Sequence, residues 1–190
     1  MENKKQLKEA IKREYAKCAQ DPTYFLGKYG IIQHPVRGKV NFNLYDFQEK
    51  SLKSFMVNDY NIVLKARQLG LSTLTAGYAL WMMTFQQDKN ILVIATKQET
   101  AKNLVTKVRV MHANLPGWLK QPCVEDNKLS LRYKNGSQIK AVASSEESGR
   151  SEALSLLIID EAAFIDKIDT IDVPNAIPII YKFDKIRVSR

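Results

Sequence analysis

The segment Asn61 to Thr73, NIVLKARQLGLST, carries the clearest chemical signal in the chain. Ile62, Val63 and Leu64 read as a buried strand, Lys65 to Gly70 as a basic, glycine-containing loop, and Ser72 onward as an amphipathic or buried helix. A phosphate-binding loop needs that order, because a helix N-terminus turns free N–H groups and the positive end of its dipole toward whatever fills the loop. Polyphosphate is the matching guest. Ser72, directly after the loop, offers a hydroxyl where a magnesium ion would be held. Against the pattern G-x-x-x-x-G-K-[ST], Gly70 takes the second glycine position and Ser72 the final hydroxyl, while Lys65 replaces the first glycine and Leu71 the lysine. The β- and γ-phosphate charge then falls to another cation, and Lys65 or Arg67 on the loop could curl back to supply it. An ordinary strand-to-helix turn can share these residues, so the loop gains its meaning from a second motif.

That motif is Leu156 to Glu161, LLIIDE, an apolar run ending in two carboxylates. It has the form of a central parallel strand whose C-terminal edge faces a ligand crevice. Asp160 would hold Mg2+ directly or through water, and Glu161 would orient and deprotonate an attacking water. Gln48 precedes the loop strand and could pair with an adenine edge, with Tyr45 or Phe47 stacked on the base.

These residues need a scaffold, and the rest of the chain supplies one. Its 190 residues, 45% hydrophobic and 26% charged, suit one domain with a substantial core. No apolar run is long enough to span a bilayer, and the charged N-terminus has no hydrophobic signal region, so neither membrane insertion nor secretion is expected. Cys18 and Cys123 have no metal-ligand spacing and read as reduced thiols. The net charge of +9 concentrates in residues 61–143, which hold 12 Lys and Arg against 4 Asp and Glu. An anionic partner follows, nucleotide and nucleic acid being the candidates.

Helices are expected over Lys4 to Gln20, stopped by Asp21-Pro22, over Leu44 to Met56, and over Gln98 to Leu115. Tyr24 to Ile31 reads as an aromatic segment before the turn-rich stretch HPVRGK. Asn90 to Thr96, NILVIAT, is a second buried strand, giving a β-α-β-α order and a parallel sheet. Asn135-Gly136 between two alternating runs signals an antiparallel hairpin, and Ile177 to Phe183 suggests one more strand. Arg150 lies in a polar loop ahead of the LLIIDE strand.

Taken together, CAQDPTYF from Cys18, HPVRG from His34, LYDFQ, KARQLGLST, ILVIATKQETAKNLV and GRSEALSLLIIDEAAFID resemble the large terminase subunit of tailed bacteriophages, over roughly Cys18 to Ile165. The resemblance implies an α/β fold of the P-loop NTPase kind (RecA/ASCE-like), with an N-terminal helical lid over residues 1–43 and an ATPase core over 44–190. It implies an ATPase that uses ATP and Mg2+ to drive double-stranded DNA into a procapsid, working as a homo-oligomeric ring in the host cytoplasm with a portal protein and a small terminase subunit. Residue by residue, Gln48 matches an adenine-sensing glutamine with Phe47 beside it. Lys65, Ala66, Arg67, Gln68, Leu69, Gly70, Leu71, Ser72 and Thr73 match a deviant Walker A loop. Asp160 and Glu161 match the Walker B aspartate and catalytic glutamate, and Arg150 matches an arginine finger, although Ser151 follows it where relatives often have glycine. The Thr/Ser-rich coupling motif and the nuclease domain expected next are not found by Arg190, so a truncated or split large terminase is expected. A non-hydrolysing nucleotide-binding module and a helicase-related ATPase are the alternatives.

Overall fold

A computed structural model describes residues 2–66, 68–143, 153–165 and 179–184. The order of elements is α1 (Glu2–Gln20), α2 (Pro22–Tyr29), β1 (Ile31–His34), β2 (Gly38–Asn41), α3 (Asp46–Val57), β3 (Tyr60–Lys65), α4 (Leu71–Phe85), β4 (Asn90–Ala95), α5 (Gln98–Ala113), β5 (Cys123–Asp126), β6 (Ser130–Tyr133), β7 (Gln138–Ala143), β8 (Leu156–Ile159), a short 3-10 turn (Ala162–Phe164) and β9 (Ile179–Asp184). Strands β3 to β9 form one sheet in the order β3-β9-β8-β4-β7-β6-β5. The first five strands in that order run parallel. The last two are antiparallel additions.

The inner strands β4 and β8 form because their sequences are apolar on both faces, as a sheet covered on both sides requires. In β4, Ile91, Val93 and Ala95 join the large core beneath the helices, while Leu92 and Ile94 join a smaller cluster on the reverse face with Leu157, Ile159, Ala162 and Ile165. The strand at Ile62 to Leu64, expected to be buried, is the edge strand β3, and its Ile62 and Leu64 are 74% and 72% exposed.

Helix α4 is buried almost all the way round, from Leu71 to Thr84, so its sequence shows little amphipathic pattern. It packs against α5, α2 and α3. At Gly77 the approach of α2 is so close that a Cβ would lie 2.8 Å from the Leu26 methyls. Helix α1 is tied to the same element, with Trp81 Nε1 donating to the Cys18 carbonyl at 2.9 Å and the Tyr15 ring edge-on to Phe85 at 5.0 Å. The N-terminal elements therefore share the core of the sheet and its helices.

Several local expectations are revised. Asp21-Pro22 ends α1 but also starts α2: the Asp21 carboxylate accepts from the Thr23 N–H at 2.7 Å and Pro22 occupies the first turn, where it gives up no hydrogen bond. The aromatic segment is therefore helical. The stretch HPVRG is a hairpin turn between β1 and β2, built by His34 Nδ1, which accepts from the Val36 and Arg37 N–H groups, and by Gly38 at φ +69°. Asn135-Gly136 makes the expected turn, with Gly136 at φ +85°, and β5 adds an unforeseen third strand. The polar loop carrying Arg150 and the tail at 166–178 lie outside the described residues. Among the described residues, no helix is long and apolar enough to cross a membrane, and both cysteines are free.

The α1–α2 joint depends on Glu14. Its Oε1 accepts from Lys28 Nζ at 2.7 Å and from the Tyr24 and Tyr29 hydroxyls, each at 2.8 Å. The Lys28 ammonium, then the two hydroxyls, hold the Glu14 carboxyl down at about 2, below its ordinary value of 4.5. A lowered pKa means a stabilising contribution that is complete above the ordinary value and disappears as pH falls toward the folded one. Unfolding of Glu14→Gln followed by circular dichroism is therefore expected to show a deficit against the unaltered chain at pH 7 that shrinks steadily from pH 4.5 to pH 2; a deficit independent of pH would contradict it.

Candidate active site

The C-terminal ends of β3, β8 and β4 lie along one edge of the sheet, and the candidate residues gather there. Register fixes this: Ile94 is level with Ile159, and the Asp160 N–H donates to the Ile94 carbonyl at 2.8 Å. Both carboxylates thus emerge just past the last paired residues.

The loop between β3 and α4 turns through left-handed backbone at Gln68 (φ +63°) and Gly70 (φ +71°). Gly70 has two reasons to be glycine. Its φ disfavours any side chain, and a Cβ would stand 2.9 Å from Gln48 Nε2. The Gly70 carbonyl accepts from the N–H groups of Thr73 and Leu74, opening α4. The N-cap is Gly70, which has no side chain to cap the helix, and the first turn holds no acid. A helix N-terminus of this kind suits an anion.

Gln48, the buried first-turn residue of α3, holds this loop. At 2% exposure it donates from Nε2 to the Leu69 carbonyl at 3.1 Å and accepts at Oε1 from the Tyr45 N–H at 3.1 Å. Sequence reasoning gave this amide to a base; its observed partners are the loop and its own helix start. Phe47 stacks on Tyr45 with centroids 5.7 Å apart and planes 8° from parallel, and both rings are exposed.

Across the crevice, Asp160 is 7% exposed. Its Oδ2 accepts from Ser72 Oγ at 3.3 Å and its Oδ1 from the Glu161 N–H at 2.9 Å. Glu161 has a left-handed backbone, φ +56°, which costs a non-glycine residue on the order of 1 kcal/mol and is held by its surroundings. Its Oε2 accepts from Thr96 Oγ1 at 3.1 Å. Thr96 is a site residue that sequence reasoning read only as the end of a strand. The available signal was its hydroxyl at the C-terminal end of the strand beside β8.

Ser72 and Asp160 present hard oxygen donors to one point, the chemistry Mg2+ selects. Among the described residues there is no group of three or more His, Cys, Asp or Glu suited to a metal. A cation here would therefore complete its shell from phosphate oxygens and water, as Mg2+ does at nucleotide sites. Ala66 and Leu69 are exposed on the loop, and Leu71 is buried beneath it. Lys65 closes β3 opposite Asp184, whereas its side chain, Arg67 and Arg150 lie outside the described residues.

A family model described as "Terminase large subunit, T4likevirus-type, N-terminal" matches residues 62–172. Among solved structures, the HK97 bacteriophage large terminase is similar with a TM-score of 0.68 at 18% identity, over 87% of this chain and 37% of that one. The large terminase ATPase domain of a Thermus phage gives 0.54 at 19% identity, over 76% and 66% respectively. A large terminase from a thermophilic bacteriophage, solved in complex with ATP-gamma-S, gives 0.54 at 13% identity, over 74% and 38%. At such identities the likeness speaks for the fold, and the chain spans little more than a third of the HK97 protein's length. The family match is broader in meaning, since it covers over half of the chain and takes in the loop, Thr96 and both carboxylates. This chain belongs to the terminase large subunit family, matching its N-terminal part.

Proposed function

We propose that the chain is the ATP-hydrolysing part of a DNA-packaging motor, coupling Mg2+-dependent ATP hydrolysis to movement of double-stranded viral DNA into a procapsid. The observation that carries the reading is the meeting of Ser72 and Asp160 at 3.3 Å, with Glu161 alongside and held by Thr96. Family membership supports it.

In this reading the polyphosphate rests on the loop from Lys65 to Gly70 and on the N-terminus of α4, whose N–H groups and dipole favour its charge. Lys65 and Arg67 supply the cationic charge that Leu71 cannot. Mg2+, held by Ser72 and Asp160, would neutralise charge on the β- and γ-phosphate oxygens. Glu161 accepts the proton of the attacking water at its carboxylate and aligns that water with the γ-phosphorus. Thr96 fixes the rotamer of Glu161 by donating to Oε2, leaving Oε1 for the water. Arg150 is the candidate finger for a neighbouring subunit's nucleotide in a homo-oligomeric ring. DNA, a portal protein and a small terminase subunit are the partners, the basic band over residues 61–143 suits the DNA backbone, and the host cytoplasm is the place of action.

Two measurements test this. Glu161→Gln is expected to keep ATP binding while steady-state phosphate release, assayed with Mg2+ and duplex DNA, falls about 10²- to 10⁴-fold, the usual contribution of a general base. Turnover equal to that of the unaltered chain would refute the assignment. Thr96→Val is expected to lower turnover about tenfold at unchanged ATP affinity, the scale of one lost charge-assisted hydrogen bond. Thr96→Ser, which restores the hydroxyl, should recover most of it; a serine variant as slow as the valine one would reduce Thr96 to a packing role.

A further inference from the structure

An α-helix leaves its last four carbonyls without partners inside the helix. At the end of α4 those of Met83 and Thr84, together with that of the C-cap residue Gln86, are taken by side chains from elsewhere in the fold. Asn135 Nδ2 donates to the Met83 carbonyl at 2.8 Å and to that of Gln86 at 3.1 Å, Ser137 Oγ donates to Gln86 at 2.9 Å, and Gln121 Nε2 donates to Thr84 at 2.9 Å. Asn135 and Ser137 belong to the turn between β6 and β7, whose Asn-Gly pair the sequence shows only as a hairpin signal. We propose that Asn135 is a positioning residue for the Ser72 hydroxyl, acting along α4 from the opposite edge of the sheet. The proposal rests on the reading of Ser72 and Asp160 as a Mg2+ site and adds what holds the spacing of that pair.

Three observations carry it. The first is geometry. Strand β7 begins at Gln138, level with Asn90, the first residue of β4. The turn therefore lies at the N-terminal edge of the parallel strands, while Ser72 and Asp160 lie at the C-terminal edge. Helix α4 connects the two edges, its 15 residues spanning about 22 Å. The second is the stiffness of the turn. Asn135 Oδ1 accepts from the Ser137 N–H at 3.1 Å, the Asn135 carbonyl from the Asp88 N–H at 3.1 Å, and Ser137 Oγ from the Lys89 N–H at 3.2 Å. Gly136, at φ +85°, lies so close to Asp88 that a Cβ would stand 1.9 Å from its carboxylate. Turn, helix end and the start of β4 are thus one bonded unit, anchored to the sheet. The third is the sensitivity of the far end. Ser72 Oγ reaches Asp160 Oδ2 at 3.3 Å, beyond the about 2.5–3.0 Å usual for a hydroxyl donor, so little movement of α4 along its axis parts the pair. Packing against α2, α3 and α5 limits the tilt of the helix. The bonds from Asn135 to its last carbonyls fix how far it reaches toward Asp160.

The test reads Mg2+-linked ATP binding by calorimetry and amide hydrogen exchange, both on the whole chain. Asn135→Asp keeps the size of the side chain and the oxygen that accepts from Ser137, but replaces the donor to Met83 and Gln86 with a second oxygen. Asn127→Asp is its control: the same exchange in the β5–β6 turn, where the side chain bonds to Leu129, Ser130 and Glu125 and not to α4. In Asn135→Asp the Mg2+ concentration needed for half-maximal ATP binding is expected to rise about three- to tenfold, with ATP affinity in the absence of Mg2+ within about twofold of the unaltered chain. A mere loss of stability would not separate those two readings. Exchange at the Thr73 and Leu74 amides, which donate to the Gly70 carbonyl at the start of α4, is expected to quicken about threefold or more. Asn127→Asp should move neither. A Mg2+ requirement within about twofold of the unaltered chain overturns the proposal, as does an equal shift in Asn127→Asp. Asn135→Ser, which adds no charge and keeps an oxygen for Ser137, decides on the same readings if the aspartate variant does not fold. An unaltered chain whose ATP binding is absent or indifferent to Mg2+ overturns the Ser72–Asp160 metal reading instead. The exchange measurement then judges the link along α4 by itself, and unchanged first-turn amides would refute it.

Discussion

The contact between Ser72 and Asp160 is the constraint on which the architecture depends. The strands that deliver these residues, β3 and β8, are not neighbours, because β9 lies between them. With strands about 4.8 Å apart, β3 and β8 are separated by roughly 10 Å, too far for two short side chains to meet across the strand ends. The loop closes that gap by carrying the chain over to the first turn of α4. The helix start, rather than the strand end, supplies the hydroxyl that reaches Asp160 across the width of one inserted strand.

Holding α4 in place is accordingly the main task of the core. A helix that must point its N-terminus at a fixed spot cannot lie loosely on a surface, and this one is enclosed by α2, α3 and α5. Its neighbours approach through small residues and rings: Gly77 admits Leu26, Phe85 receives both Tyr15 and Phe25, and Tyr78 meets Phe55. Close packing of this kind transmits displacement, so the N-terminal elements brace the helix on which the phosphates would rest. The reverse face of the sheet has a much smaller cluster, centred on Leu92, Ile94, Leu157 and Ile159.

How much of this was legible in the sequence varied with the kind of signal. NILVIAT and LLIIDE were readable because strands buried on both faces are continuous apolar runs, and the acid pair at the end of the second was its own label. The strand-loop-helix order around Gly70 was readable from the residues, and reading it as a phosphate loop took the second motif, LLIIDE. Asp21-Pro22 misled because the same two residues stop one helix and start the next, and only the Thr23 contact shows the second role. Strand β5, CVED, is exposed at all four positions and offers no alternation to detect. Thr96 was invisible as a site residue because its meaning depends on the lateral pairing of β4 with β8, which no local pattern encodes. Gln48 was recognised as significant, but its partner is a backbone carbonyl, and backbone partners leave no trace in residue identity. Arg67 and Arg150, both prominent in the sequence, lie outside the described residues.

The hydrogen bond from Gln48 to the Leu69 carbonyl has one more consequence, in the entropy of ligand capture. A glycine-containing loop free in solution would sample many backbone states and would have to surrender them on meeting a phosphate, at about 1–2 kcal/mol for each residue ordered. Here the left-handed turn at Gly70 is already set by a buried amide on another helix. The ordering cost is met during folding, and affinity for the ligand is correspondingly less diminished. A phosphate ligand of the kind proposed would then be captured and released without rebuilding the turn at Gln68 to Gly70.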